Sequence, residues 1–248
     1  MTVNEIYSFL NGIFPTDTAC DFDNPGLLVG NPESEVTAAL IALDCTLKTV
    51  ETAKENNCNL IITHHPIIFE PLKKVTKGSI VFELVSNGIA VISMHTNMDM
   101  GENGVNDCLC NALEFTDIKP IIAEDGYILK CGKTPVRTAV SFAAFIKSKL
   151  GGCVKFVDGN RKISNVLVCS GSGGDFINEA IKGGFDAFVT ADIKHHHFLM
   201  AADRGISLFD AGHFNTEDVI VEPLKALLSE KFPDIEFIAD HISPIKYI

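Results

Sequence analysis

Ala38–Pro66 reads AALIALDCTLKTVETAKENNCNLIITHHP. AALIALDCT is a short apolar run of the length and composition of a buried strand, LKTVETAKENN has helical spacing, and NLIITHHP is a second apolar run ending in two histidines. Two strands with no polar face, joined through a helix, make a βαβ unit of a parallel sheet. The grammar recurs downstream. NVLVCSG (165–171) is a strand, GDFINEAIKGG (174–184) a helix, and DAFVTADIKHHH (186–197) a strand followed by histidines. GIAVISMHTNMD (88–99) and GISLFDAGHFNTED (205–218) then match each other, each a strand finishing in His with an acid four residues on. The expectation is an α/β fold: two interlocked α/β domains related by a pseudo-repeat, with mostly parallel or mixed sheets and helices on both faces.

Around these units the chain predicts a first helix over Asn4–Phe14, with Ile6, Phe9, Leu10 and Ile13 on one side. DFDNPGLLVGNP is turn-rich, NGVNDCLCNALEF and SFAAFIKSKLGG are helical, and VEPLKALLSEKF with IEFIAD closes the chain as helix and strand. Pro120 marks a boundary. The first domain is expected over 1–122 plus about 218–248 and the second over 123–217, with a metal site at their interface.

At 248 residues, 46% hydrophobic and 21% charged, this is an ordinary globular composition. A net charge of −12 repels phosphate backbones and anionic lipid, so nucleic acid is an unfavoured partner. The densest cationic stretch, Lys73-Lys74 with Lys77, reads as a solvated loop. The start MTVNEIYSFLNGIF has no basic leader and no stretch has the length of a membrane span, so the expected location is cytoplasmic. Eight cysteines without a CxxC, several inside apolar runs, read as reduced and buried. Cys108 and Cys110, spaced CxC on a helix, are read as structural.

All the histidine-bearing motifs fall at predicted strand ends, where open α/β sheets gather their ligands. Ile62–Pro66, His95–Asp99 and Asp210–Glu217 combine imidazole with carboxylate, the usual shell of a first-row divalent ion. Three histidines and two acids, His64, His65, Asp99, His213 and Glu217, exceed what one catalytic ion takes and suit two. Within a strand, His64 and His65 would face opposite ways and serve different ions. His95 either ligates or stands beside the cluster as proton carrier, and we assign it the second role. Of His195–His197, which open a helix capped by Asp192, His196 is expected to line the cleft. Gly171-Ser172-Gly173-Gly174-Asp175 is either a phosphate-cradling loop or a tight turn. No GxSxG is present, so Ser172 is not read as a nucleophile.

DNPGLLVG, LIITHHPIIF, HTNMD, NGVNDCL, CSGSGGDFI and TADIKHHHFLMAADRGISLFDAGHFNTE together resemble the NIF-three-like proteins, also named GTP cyclohydrolase I type 2 homologues. The resemblance spans nearly the whole chain. It departs at Ala191, where the family usually has glycine, and at Pro25 in the DNxGL turn. It implies a toroidal homohexamer, a trimer of dimers, with two divalent ions per chain (Zn, Fe, Mn, Co or Ni) on His64, His65, Asp99, His213 and a bridging Glu217. Longer relatives carry an inserted domain between the halves, and the short Pro120–Val157 region leaves no room for it. The activity expected is metal-dependent hydrolysis of a small molecule such as a nucleotide, with His95 and Glu217 as catalytic groups. A phosphoesterase fits the same ions. A regulatory or scaffold ring with structural metals is the rival class.

Overall fold

The computed structural model describes residues 1–246. The chain divides into two compact units. Met1–Glu102 and Val221–Pro244 form the first, and Asn103–Ile220 with the segment from Ile245 forms the second. The first crossing therefore comes between Glu102 and Asn103, earlier than the expected boundary at 122. The reason is packing: Leu109, Cys110 and Leu113 are buried in a core with Phe142, Val166 and Phe209 of the second unit. The expected first domain also included residues 247 and 248, which lie outside the described residues.

The first unit opens with α1 (Val3–Ile13), whose Thr2 and Glu5 cap it reciprocally. There follow β1 (Gly26–Val29), β2 (Ala38–Ala42), α2 (Leu47–Glu55), β3 (Leu60–Thr63), α3 (Ile80–Ser86), β4 (Ala90–Ser93) and the short α4 (Thr96–Met100). The second unit runs α5 (Val105–Ala112), β5 (Thr116–Ile122), β6 (Ile128–Arg137), α6 (Ala139–Leu150), β7 (Lys155–Val157), β8 (Ile163–Val168), α7 (Ile177–Lys182), β9 (Ala187–Thr190), α8 (His195–Arg204), β10 (Ser207–Asp210) and α9 (His213–Glu217). The chain then returns to the first unit with α10 (Val221–Lys231) and β11 (Glu236–Asp240).

The first sheet has the order β1-β4-β3-β2-β11, with β1 antiparallel and the others parallel. Ile238, Leu40, Ile61 and Val91 stand in register across it and pack with Val50 and Ala53 of α2 and Leu84 of α3. On the other side Ala39, Ile41, Ile62 and Ile92 are buried as well. Strands covered on both faces have no place for polar alternation, which is why AALIA and LIIT read as unbroken apolar runs.

The second sheet has the order β5-β6-β8-β9-β10-β7, with β8, β9 and β10 parallel and the rest antiparallel. One face packs on α5 and α6, the other on α7 and α8. The two units repeat one succession: a helix, an edge strand, then strand-helix-strand-helix-strand, then a short helix, with the edge strand antiparallel to the last long strand in both.

Pro120 lies inside β5, which is no boundary. β5 is an edge strand, where the missing N–H of proline breaks no ladder bond. Its side chains are mostly exposed, so the hydrophobic pattern gives little sign of it. β5 turns back into β6 through residues 123–127 with no insertion.

Phe188, fully buried at the centre of the second sheet, packs with Leu167, Leu208, Ile177 and Phe185. Phe188→Ala should cost about 3–5 kcal/mol in urea unfolding, and a loss below about 1 kcal/mol would contradict this central placement.

Candidate metal centre

In the first unit β3 stops at Thr63, and His64 and His65 have already left the strand. Their rings lie side by side, with centroids 5.0 Å apart, instead of facing opposite ways as strand alternation predicts. The Thr63 hydroxyl donates to the His65 carbonyl at 2.9 Å, and the His65 amide donates to the Leu43 carbonyl at 3.0 Å, which fixes the exit of the chain. His64 is buried, and its Nδ1 lies 2.9 Å from the Met94 carbonyl. His65 Nδ1 meets Asp44 Oδ1 at 2.7 Å, and His95 Nδ1 meets Asp23 Oδ1 at 2.8 Å. His64, His65 and His95 offer ring nitrogens within 4.8 Å of one another. Asp99, in the first turn of α4, is buried with its Oδ1 3.5 Å from His64 Nε2.

The second unit carries a corresponding arrangement. His213 and Glu217 sit one turn apart on α9, with Nε2 2.9 Å from Oε2. His213 Nδ1 lies 2.7 Å from Asp192 Oδ2, which also accepts from the Ser172 hydroxyl at 2.7 Å. Glu217 is buried. A cavity of about 300 Å³ opens beside His213, lined by Asp192, Asp210, Gly212, Phe214, Lys155, Cys153 and Ile245.

Carbonyl and carboxylate oxygens only accept, so each of these four imidazoles keeps its proton on Nδ1 and presents the Nε2 lone pair. For His64 and His213 that lone pair faces a buried carboxylate oxygen. Two electron-rich atoms in that position repel unless a proton or a cation lies between them. The donor set of imidazole nitrogen and carboxylate oxygen fits a divalent first-row ion.

Burial would raise the Asp23 carboxyl, but the hydrogen bond to His95 and those from the Thr96 hydroxyl and amide outweigh it and bring its pKa to about 2. Asp192 is likewise lowered against its burial, by Ser172 and His213. Both carboxylates therefore act as acceptors at neutral pH.

The glycine loop after β8 is a packing device. Gly171 has φ +57°, and a Cβ there would lie 1.9 Å from Glu217 Oε1. Its amide donates to Thr216 Oγ1 at 3.0 Å, and its carbonyl accepts from the Thr190 hydroxyl at 3.0 Å. A Cβ on Gly173 would strike Cys169 and Thr190. Of the two readings of this loop, the tight turn is the one its contacts explain.

Asp192 does not cap α8, whose preceding residue is Lys194 with no side-chain cap. It backs His213 instead. His195 and His196 are exposed, and His197 is buried with Nε2 3.3 Å from Asp175. Burial and its cationic neighbours lower the His197 pKa. Among the described residues none of the three belongs to a metal-ligating group, so His196 lines no donor cluster. Burial pushes Cys108 up to about 11 and Cys110 higher still, which fits packed thiols and not ligands. Asp23, Asp44 and Asp192 are the functional positions the sequence reading missed. Asp44 lies inside the predicted strand AALIALDCT, whereas β2 ends at Ala42 and leaves it in the loop beyond the strand end.

The sequence profile of the family Duf34/NIF3 (NGG1p interacting factor 3) matches residues 1–244. The chain belongs to that family. It is similar to a Clostridium acetobutylicum protein named GTP cyclohydrolase 1 type 2 homolog, 34% identical over 230 residues that cover 88% of this chain and 85% of the relative. A crystal structure of a Staphylococcus aureus hypothetical protein superposes with a TM-score of 0.94 at 32% identity, covering 100% of this chain and 99% of the other. Reduced HcgD from Methanocaldococcus jannaschii gives 0.84 at 29% identity, covering 96% and 97%. Among the described residues, no helix is long and apolar enough to cross a membrane.

Two substitutions test this geometry by metal titration against a chromogenic chelator. Asp192→Asn, which leaves the proposed ligand His213 in place but weakens the acceptor on its Nδ1, should lower metal affinity about 10–100-fold. Gly171→Ala should displace the Glu217 carboxylate and weaken binding at least as much. Wild-type affinity in both variants would show that neither contact shapes the donors.

Proposed function

We propose that the chain is a dinuclear metal protein with hydrolytic activity, in which His64, His65, Asp99, His213 and Glu217 hold two divalent ions. The supporting observation is the one just described: imidazoles fixed with Nε2 lone pairs outward, two of them against buried carboxylates. The ions would be drawn from Zn, Fe, Mn, Co and Ni, and Glu217 would help to hold both, as the resemblance implies. The name of its clostridial relatives, GTP cyclohydrolase 1 type 2 homolog, suggests a GTP-type nucleotide as substrate. The working form is a homohexamer, as the resemblance implies, and its place is the cytoplasm.

Bound ions of this kind would lower the pKa of a water and polarise a carbonyl or phosphoryl oxygen, which makes the attached carbon or phosphorus more electrophilic. The chain's own groups supply the rest. Asp23 orients His95, whose Nε2 side is the one available to take up and release a proton. The Thr96 contacts keep Asp23 itself from swinging away. Asp44 and the Met94 carbonyl hold His65 and His64 in a single orientation each, so the donors need little reorganisation. The cavity beside His213 gives a small molecule room at the second donor pair.

Elemental analysis of freshly purified protein should return two equivalents of first-row metal per chain, falling to one or less in Asp99→Ala. His95→Gln should keep its metal and lower kcat on GTP or a phosphoester by about 100-fold. A value near zero in the wild type would overturn the metal assignment. Two metals without metal-dependent turnover on any of these substrates would leave the scaffold reading in its place.

A further inference from the structure

The first unit exposes two aromatic side chains next to its histidine cluster. Phe22 is 65% and Phe69 46% exposed, and their ring centroids lie 6.2 Å apart. Phe69 also meets the His95 ring edge-on, at 6.2 Å and 85°. The shelf is fixed from beneath. Phe22 precedes Asp23, which holds His95, and Asn24 Nδ2 donates to the Ile68 carbonyl at 2.6 Å, tying the Phe69 loop to the same turn. Ile67 and Ile68 pack against the core, so the apolar contacts of this loop are met without Phe69.

Exposed phenylalanine costs solvation, and a flat apolar face beside polar donors is what a planar ring needs. Charge selects among planar rings. In a chain of net charge −12, the densest cationic stretch, Lys73-Lys74 with Lys77, lies on the exposed segment that continues from Phe69 to α3. We infer that Phe22 and Phe69 stack the heteroaromatic base of a mononucleotide beside His95, with its phosphate drawn to the lysine segment. The inference rests on the hydrolase reading for what happens next, but binding itself does not require the ions.

The probe is 2-aminopurine riboside 5′-monophosphate, whose fluorescence is quenched on stacking, titrated into the full chain with and without its metal. The wild type should quench the probe in both states. Phe22→Leu/Phe69→Leu should weaken binding about tenfold. Exchange of all three lysines for Gln should weaken the nucleotide but not the nucleoside. Metal content is measured on every sample, so quenching by a chain that carries no metal as purified and takes up none on titration supports the shelf while sinking the metal centre. Two metals per chain without quenching sinks the shelf alone. A change of assembly mass in the double Phe variant, seen by light scattering, would make the two rings a subunit contact and overturn the inference. Tighter binding of a single-stranded oligonucleotide than of the mononucleotide would also overturn it.

Discussion

A neutral imidazole has one proton and two nitrogens, and whichever nitrogen meets a pure acceptor takes the proton. In His64, His65, His95 and His213 that acceptor stands on Nδ1 every time, as the Met94 carbonyl or as Asp44, Asp23 or Asp192. The other nitrogen is thereby committed as a donor of electrons. Much of the surrounding architecture keeps these acceptors in place, from the three bonds on Asp23 to the Ser172 hydroxyl on Asp192.

The repeated frame explains why such pairs arise twice. Parallel strands deliver their carboxyl ends to one edge of a sheet, and the short helices that follow β4 and β10 each place an acid one turn along from a histidine. Thr63 and Thr190, the last residues of β3 and β9, are both fully buried; the first donates its hydroxyl to the His65 carbonyl, the second to the carbonyl of Gly171, whose loop packs against Glu217. The copies differ in detail. The first obtains its carboxylate for His95 from the turn before β1, whereas the second takes that for His213 from the turn after β9.

The sequence revealed most of the frame, since parallel strands buried on both faces leave long apolar runs and helices between them keep their own period. The donor-bearing motifs were visible for the same reason, each being a polar group at the end of such a run. What escaped had a weaker imprint. β5 and β6 form an antiparallel hairpin with one exposed edge, and Pro120 within it reads as a break. Asp23 contacts a histidine 72 positions away, which no local pattern encodes. Asp192 precedes a helix and so invites the role of cap, but at φ +50° its chain turns and its carboxylate goes to His213. The alternation argument does not reach His64 and His65 because β3 ends at Thr63, before either of them.

The first sheet is finished by a strand from the far end of the chain, β11 pairing with β2. During synthesis β2 therefore emerges long before its neighbour. At about 5–20 residues per second the ribosome needs roughly 10 to 40 s to reach β11, and through that interval the apolar AALIA edge has open N–H and C=O groups. Until β11 closes that edge, the nascent chain must be kept from pairing with its copies on the same messenger.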